Sequence, residues 1–236
     1  MSDEVGVTAG AFARLAQELH GEHGVTETVE AVVRFALQVI GCESAGVLLT
    51  GSNRSLWTVT VTDPMIELVD QLQLASGTGP AFSIVAKGHD SLVVADSLAE
   101  KRWAAWSTGI AELGLRSALV VGLGRPGAML GVLQLFDLGP YAFGPEDQRI
   151  ASVLARHASI AVASALREAS LWREAADRKQ LGQAQGILME RFGIDAPRAA
   201  EILRLYSDEN HVQLRDVAHQ LSRRRRTPES RGGTVA

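Results

Sequence analysis

Near the C-terminal end of the chain, hydrophobic positions recur every three or four residues in three consecutive blocks. This predicts three short helices packed on one small core over 178–222. In the first block Leu181, Ala184, Leu188 and Phe192 line one face. Gly193 can end that helix, because glycine tolerates the left-handed backbone of a C-terminal stop. Asp195 then fits an N-cap, with Pro197 in the first turn, where a missing N–H costs nothing. The second block carries Ala199, Ile202, Leu203 and Tyr206. Asn210 and His211 break it, and Leu214, Val217, Ala218 and Leu221 stripe a third. Leu188, Met189 and Phe192 are expected in the core. The small Ala184 and Gly186 are expected to let a neighbouring backbone approach closely. Helices of about ten residues are marginal alone, so these three need one another.

Upstream the pattern changes. Phe12, Leu15, Ala16 and Leu19 predict a helix over 8–20. Val29, Val32, Val33, Ala36, Leu37 and Ile40 predict a second, from Thr26 to a stop at Gly41. Ala45–Thr50 and Leu56–Val61 read as strands around a turn of hairpin composition, Gly51-Ser52-Asn53-Arg54. An amphipathic stretch follows at Ile66–Leu74, then a loop at Gly77-Thr78-Gly79-Pro80. Three further strands are expected at Leu92–Ala95, Leu119–Leu123 and Met129–Phe136. That order predicts an antiparallel sheet with helices segregated to its faces, an α+β domain. From Pro145 to Arg191 there is no further proline, and the only glycines are Gly182 and Gly186, so one long helix is allowed. Along it Ile150, Val153, His157, Ile160, Ser164, Leu171 and Ala175 fall near heptad spacing, a coiled-coil-like stripe suited to a homodimer.

Charge sharpens the contrast between the two regions. Residues 1–171 carry 11 Lys+Arg against 18 Asp+Glu, a balance of −7, and residues 172–226 carry 11 against 8, a balance of +3. Four of those cations are the run Arg223–Arg226, which attracts phosphate without reading sequence. Glutamine, asparagine and arginine can pair with base edges that RNA loops expose. The polar set Gln183, Gln185, Arg191, Arg204, Asn210 and Arg215 supplies such groups: each alone reads as a solvated helix face, and together, with what the family resemblance of these helices implies, they are the candidate RNA-binding surface. No apolar run approaches the roughly 18 residues of a membrane helix. The acidic start MSDEVGVTAG shows no secretory signal. The single cysteine, Cys42, suits a reducing compartment, so a cytoplasmic location with no membrane partner is expected.

Catalytic chemistry is sparse. Gly77-Thr78-Gly79 lacks the lysine and spacing of a phosphate-binding loop. His20 and His23 have no third metal ligand near them, His89 sits in a polar turn, and no serine–histidine–acid spacing stands out. Neither an enzymatic activity nor a cofactor or metal is expected.

Two resemblances give these patterns a functional frame. AQGILMER at Ala184–Arg191, Ala199 with Leu203–Arg204, Ser207 with Asn210, and Leu214 with Val217–Ala218 resemble the ANTAR domain. That family consists of RNA-binding modules of bacterial transcription antitermination regulators. The chain departs from its pattern at Gln185, where lysine is usual, and at Ala200, where an aromatic is usual. Losing the lysine removes one phosphate contact. GTGPAF at Gly77–Phe82, the LVVADS strand, RWAAW around Trp103, Leu115–Ser117, the LGVLQL strand and AFGPEDQRI at Ala142–Ile150 resemble a GAF domain, a small-molecule sensor. In that frame Phe82, Asp96, Trp103 and Trp106 are the candidate ligand pocket for an unidentified small molecule. GAF domains that act chemically or carry a bilin do so through cysteine, and a structural role is expected for Cys42.

The expected organisation is a GAF-like sensor at 8–168, a helical linker at 169–179, an ANTAR-like RNA-binding domain at 178–222 and a basic disordered tail at 223–236. The function implied is a signal-responsive, dimeric regulator that binds paired hairpin loops in nascent RNA and promotes antitermination. Two other readings stay open from the residues alone. One is a DNA-binding regulator reading through Gln213, Arg215, Asp216, His219 and Gln220. The other is a protein-interaction module attached to a ligand-sensing domain.

Overall fold

The computed structural model describes residues 15, 17–19 and 24–224. Leu15 and residues 17–19 are helical. The rest of the expected 8–20 helix, His20, His23 and 225–236 of the tail lie outside the described residues. The chain divides into two compact units between Glu168 and Ala169.

The first unit is built on a five-stranded antiparallel sheet: β1 (Ser44–Thr50), β2 (Leu56–Val61), β3 (Ser91–Val94), β4 (Ser117–Arg125) and β5 (Ala128–Asp137), in the order β2-β1-β5-β4-β3. Alternation along the strands decides its two faces. Val47, Leu49, Leu119, Val121, Leu133 and Leu135 pack with α1 (Val25–Ile40) and with residues 151–162 of a long helix. Their strand neighbours Leu48, Val120, Val132 and Phe136 meet α2 (Pro64–Ser76), α3 (Pro80–Lys87) and α4 (Ala104–Glu112) on the other side. Both faces are covered, which is why the central strands read as nearly continuous apolar runs. Asp63 caps α2 by accepting from the Met65 N–H at 2.7 Å.

Helices α3 and α4 were not foreseen. Each is under ten residues long and lacks a side-chain N-cap. Moreover, α4 contains glycine, serine, threonine and tryptophan, all weak helix formers. Tertiary packing of Ala81, Ile84, Trp106 and Ile110 overrides that local preference.

The long helix, α5 (Pro145–Phe192), begins in the first unit and ends in the second. Gly193, at φ 61°, stops it, donating its N–H to the Met189 carbonyl at 2.9 Å. Asp195 then caps α6 (Ala196–Glu209) through the Arg198 N–H at 2.9 Å, and α7 (Leu214–Arg224) follows. The core of this unit is Ala184, Leu188, Ala199, Leu203, Val217 and Ala218. Two expectations fail here. Phe192 is 62 % exposed and Met189 is exposed too, because the core closes on Ala184 and Leu188 and it is Ile194 that packs at the helix end. Gly186 is exposed and faces open space where a Cβ would stand, so of the two small residues only Ala184 is close-packed.

Candidate nucleic-acid interface and sensor interior

All but one of the six polar residues proposed to meet RNA are exposed, and Gln185 is half-buried. They do not share one face. Gln183 and Gln185 stand ~200° apart around the α5 axis and so leave it on nearly opposite sides. Arg191 lies over the Phe192 ring, 5.9 Å from its centre. Asn210 is the C-cap of α6, and its amide donates to the Tyr206 carbonyl at 2.9 Å, so part of its hydrogen-bonding capacity is structural. Arg215 is 3.9 Å from Asp216, and Arg204 projects from α6 into solvent.

Between the three helices the surface opens into an apolar cleft of about 200 Å³, lined by Leu188, Ile202, Tyr206, Val217, Gln220 and Leu221 among others. Sequence periodicity assigned Ile202 and Tyr206 to the packed stripe of α6. Both reach the surface, Tyr206 being 50 % exposed. The missed signal was the width of that stripe: Ala199 and Leu203 suffice for the core, leaving the flank free.

In the first unit the four residues expected around a ligand have different surroundings. Trp106 is core, packed with Ile66, Ile110 and Phe136, and its indole N–H has no acceptor among the described residues. Trp103 meets it edge-on at 6.3 Å and carries the Arg102 guanidinium 4.5 Å above its own ring. Phe82 is half-buried against the Ala81–Ile84 cluster. Asp96 forms a forked pair with Arg116 at 3.0 Å. Partial burial opposes its ionisation, yet the Leu98 N–H and Arg116 still hold its carboxyl below the usual range. Beside these residues runs a groove of about 310 Å³ between the 97–100 loop and α4, lined by Ser97, Glu100, Ser107, Thr108 and Glu112 among others. None of the four expected residues lines it.

The interior holds a polar chain that sequence reading did not find. The Ala81 N–H donates to Gln73 Oε1 at 2.9 Å, Gln73 Nε2 to Gln134 Oε1 at 2.8 Å, and Gln134 Nε2 to Asp70 Oδ1 at 2.6 Å. The Thr58 hydroxyl donates to Asp70 Oδ2 at 2.7 Å. A backbone N–H can only donate, so Ala81 fixes the direction of every bond down to Oδ1. Only the Thr58 side can accommodate a proton on Asp70. Burial pushes the Asp70 carboxyl up to about 6, against the hydrogen bonds that favour its charge. Gly79, at φ 148°, belongs to the same arrangement, because a Cβ there would lie 2.4 Å from Gln73 Oε1. The signals were a glutamine inside the apolar β5 run and Asp70 and Gln73 on the same helical face as Ile66 and Val69.

Cys42 is half-buried, and burial pushes its thiol up to about 12, so it stays protonated at neutral pH. Among the described residues no three His, Cys, Asp or Glu side chains are placed to hold a metal ion, and no helix is long and apolar enough to cross a membrane.

A two-faced antiparallel sheet joined through one helix to a compact three-helix unit defines the class: an α+β domain followed by a helical module. The chain belongs to the GAF domain family, whose model matches residues 25–162, and the ANTAR domain is identified at residues 169–221. GAF domains are sensory, and ANTAR domains bind RNA hairpins to effect antitermination. Both are regulatory modules. None of the curated proteins compared with the chain matches it.

Three solved structures share the fold of the first unit. Free methionine-R-sulfoxide reductase from Neisseria meningitidis is 18% identical with a TM-score of 0.55, over 71% of this chain and 95% of that one. The GAF domain of a phosphoenolpyruvate-protein phosphotransferase from Coxiella burnetii is 14% identical with a TM-score of 0.55, over 69% and 96%. A domain of a sensor histidine kinase protein from Sinorhizobium meliloti is 14% identical with a TM-score of 0.53, over 63% and 97%.

Proposed function

We propose that the chain acts as a homodimer whose GAF domain, on binding a small molecule, controls how two ANTAR units engage paired hairpin loops in a nascent transcript. The observation that carries this reading is that the three-helix unit completes its core with six residues. Gln183, Arg191, Arg204, Asn210 and Arg215 are left exposed on a segment whose net positive charge comes from the Arg223–Arg226 run. Those residues, with Gln185, are the proposed RNA contacts. Dimerisation is supported by α5, which buries Ala151, Leu154, Ala158 and Val162 in its own unit while Val153, Ile160 and Leu171 are exposed at near-heptad spacing. Two weak RNA modules held on one dimer gain effective concentration, so their spacing sets affinity. A ligand switches such a system only by binding its two arrangements unequally. Phe82, Asp96, Trp103 and Trp106 are the residues to vary in seeking that ligand.

The test is to purify the protein from cells, sequence the RNA that accompanies it, and repeat this with a Gln185→Ala/Arg204→Ala variant. Enrichment of transcripts carrying tandem hairpins, lost in the variant, supports the proposal. Equal recovery of bulk RNA with both proteins contradicts it.

A further inference from the structure

The elements joined by the interior polar chain are not held with equal firmness. Gln134 stands on β5, which is paired on both sides, and Asp70 and Gln73 stand on α2, a helix of 13 residues capped by Asp63. The weak member is α3. It has eight residues, no side-chain cap, and a glycine at each end, Gly79 at φ 148° and Gly88 at φ 69°. Glycine turns freely in that region of backbone space, where an L side chain resists. Among the described residues, 80–87 makes one polar bond to another element, from the Ala81 N–H to Gln73 Oε1 at 2.9 Å. Its apolar hold comes from Ala81 and Ile84, packed with Leu48, Val120 and Val132 of the sheet. Gln73 thus serves as the missing cap of α3, and its orientation is set by Asp70 through Gln134.

We infer that α3 is a proton-linked lid, turning at Gly79 and Gly88 and latched by this chain, so that ionisation of Asp70 loosens it from the sheet. Asp70, Gln73 and Gln134 are fully enclosed, so a charge on Asp70 regains water only if an element moves. The element that opens first is the one with the fewest bonds to lose, and that is α3. Neighbouring charge acts in the same direction. The charged residues on α2 and on the elements packed against it are Asp63 and Glu67 of α2 and its cap, Asp137 at the end of β5, Lys87 on α3 and Glu112 on α4, while β1 and β2 carry none. Of these, Glu67 is the one whose charge acts on Asp70, and it favours the proton. Acidification therefore closes the lid and neutral pH relaxes it. This gives the first unit an input of its own, independent of any small molecule and of RNA binding.

The test is amide hydrogen exchange resolved by peptide on the full chain, near pH 5 and near pH 7.5, corrected for the intrinsic effect of pH on exchange. Residues 80–88 should exchange faster than β4 and β5 at both values, because the lid opens without the sheet unfolding. Asp70 has its ordinary value of 3.8 when hydrated and about 6 when enclosed, so opening should become about tenfold more frequent at the higher pH. Asp70→Asn, which keeps both hydrogen bonds without a charge, should abolish that dependence. Gln73→Met, with circular dichroism confirming its fold, should speed exchange of 80–88 about fivefold or more at both values, the effect of leaving the Ala81 N–H without its acceptor. The inference is overturned if wild-type 80–88 exchanges in step with β4 and β5, or shows no pH dependence. It is overturned equally if the dependence persists in Asp70→Asn, if Gln73→Met leaves 80–88 unchanged, or if the pH effect falls on 56–61 and spares 80–88.

Discussion

The two units solve the same problem with very different interiors. Among the described residues, the first unit gathers twenty buried hydrophobic residues on one face of its sheet alone, whereas the cluster holding the second together has six. Burying a large aliphatic side chain contributes ~1.5–3 kcal/mol, so the first unit can bear a buried carboxylate near its centre. The second can bear no such burden, and its small core of Ala184, Ala199 and Ala218 with three larger residues depends on helix stops and caps. The difference shows where each can afford function. The sensor has polar groups inside, at Asp70, Gln73 and Gln134, while the three-helix unit has its polar and aromatic groups outside.

The sharpest way to break that contrast is to enlarge the deficit in the smaller core. Leu203→Ala should cost about 2–5 kcal/mol, enough to unfold the second unit while the sheet stays intact. Hydrogen exchange resolved by peptide would show lost protection over 181–221 and unchanged protection over β4 and β5. Equal loss in both regions would mean that the two cores fold as one.

Asp70 sharpens the comparison from the other side. Its folded pKa of about 6 lies above the ordinary value of 3.8, so the native state holds the proton more tightly than the unfolded chain. The resulting stabilisation is fully present below about pH 4 and is lost as pH rises to about 6. Asn at this position could accept from Gln134 and donate to Thr58, so Asp70→Asn should stabilise the protein by about 3 kcal/mol above pH 6. That gain should vanish towards pH 4. It is read as the difference between the denaturation curves of variant and wild type, and a gap independent of pH would contradict the assignment.

Smaller effects follow. Asp195→Ala removes the cap of α6 and should cost ~1 kcal/mol in urea denaturation followed on the second unit. Phe192→Ala should change stability by no more than ~0.5 kcal/mol, because the ring is at the surface despite its place in the apolar stripe.

These last two residues illustrate what the sequence could tell. Local signals with a backbone consequence were readable: Gly41 and Gly193 as helix stops, Asp195 as a cap, and the short apolar runs that made five strands. The extent of the long helix was readable because no proline interrupts it. What escaped depended on partners distant in the chain. Helices α3 and α4 are held by the sheet, against weak local preference. The Asp70 chain joins residues up to 64 positions apart. Phe192 and Tyr206 sit in the right helical register for burial, but among the described residues no third element covers them. Among candidate site residues, helical phase gave the helices that carry the proposed RNA set but not that its members leave them on different sides. For the ligand set it named residues beside a groove, not its lining.

The central claim is that the three-helix unit is a hand for folded RNA. It is tested most directly by titrating the full chain into a fluorescent two-hairpin RNA at two salt concentrations, with duplex DNA as competitor. The account predicts a Kd of ~1 µM or tighter at low salt, weakening steeply as salt rises, with DNA competing poorly. A folded protein that leaves the RNA unbound at low salt, or that releases it equally readily to duplex DNA, would contradict it.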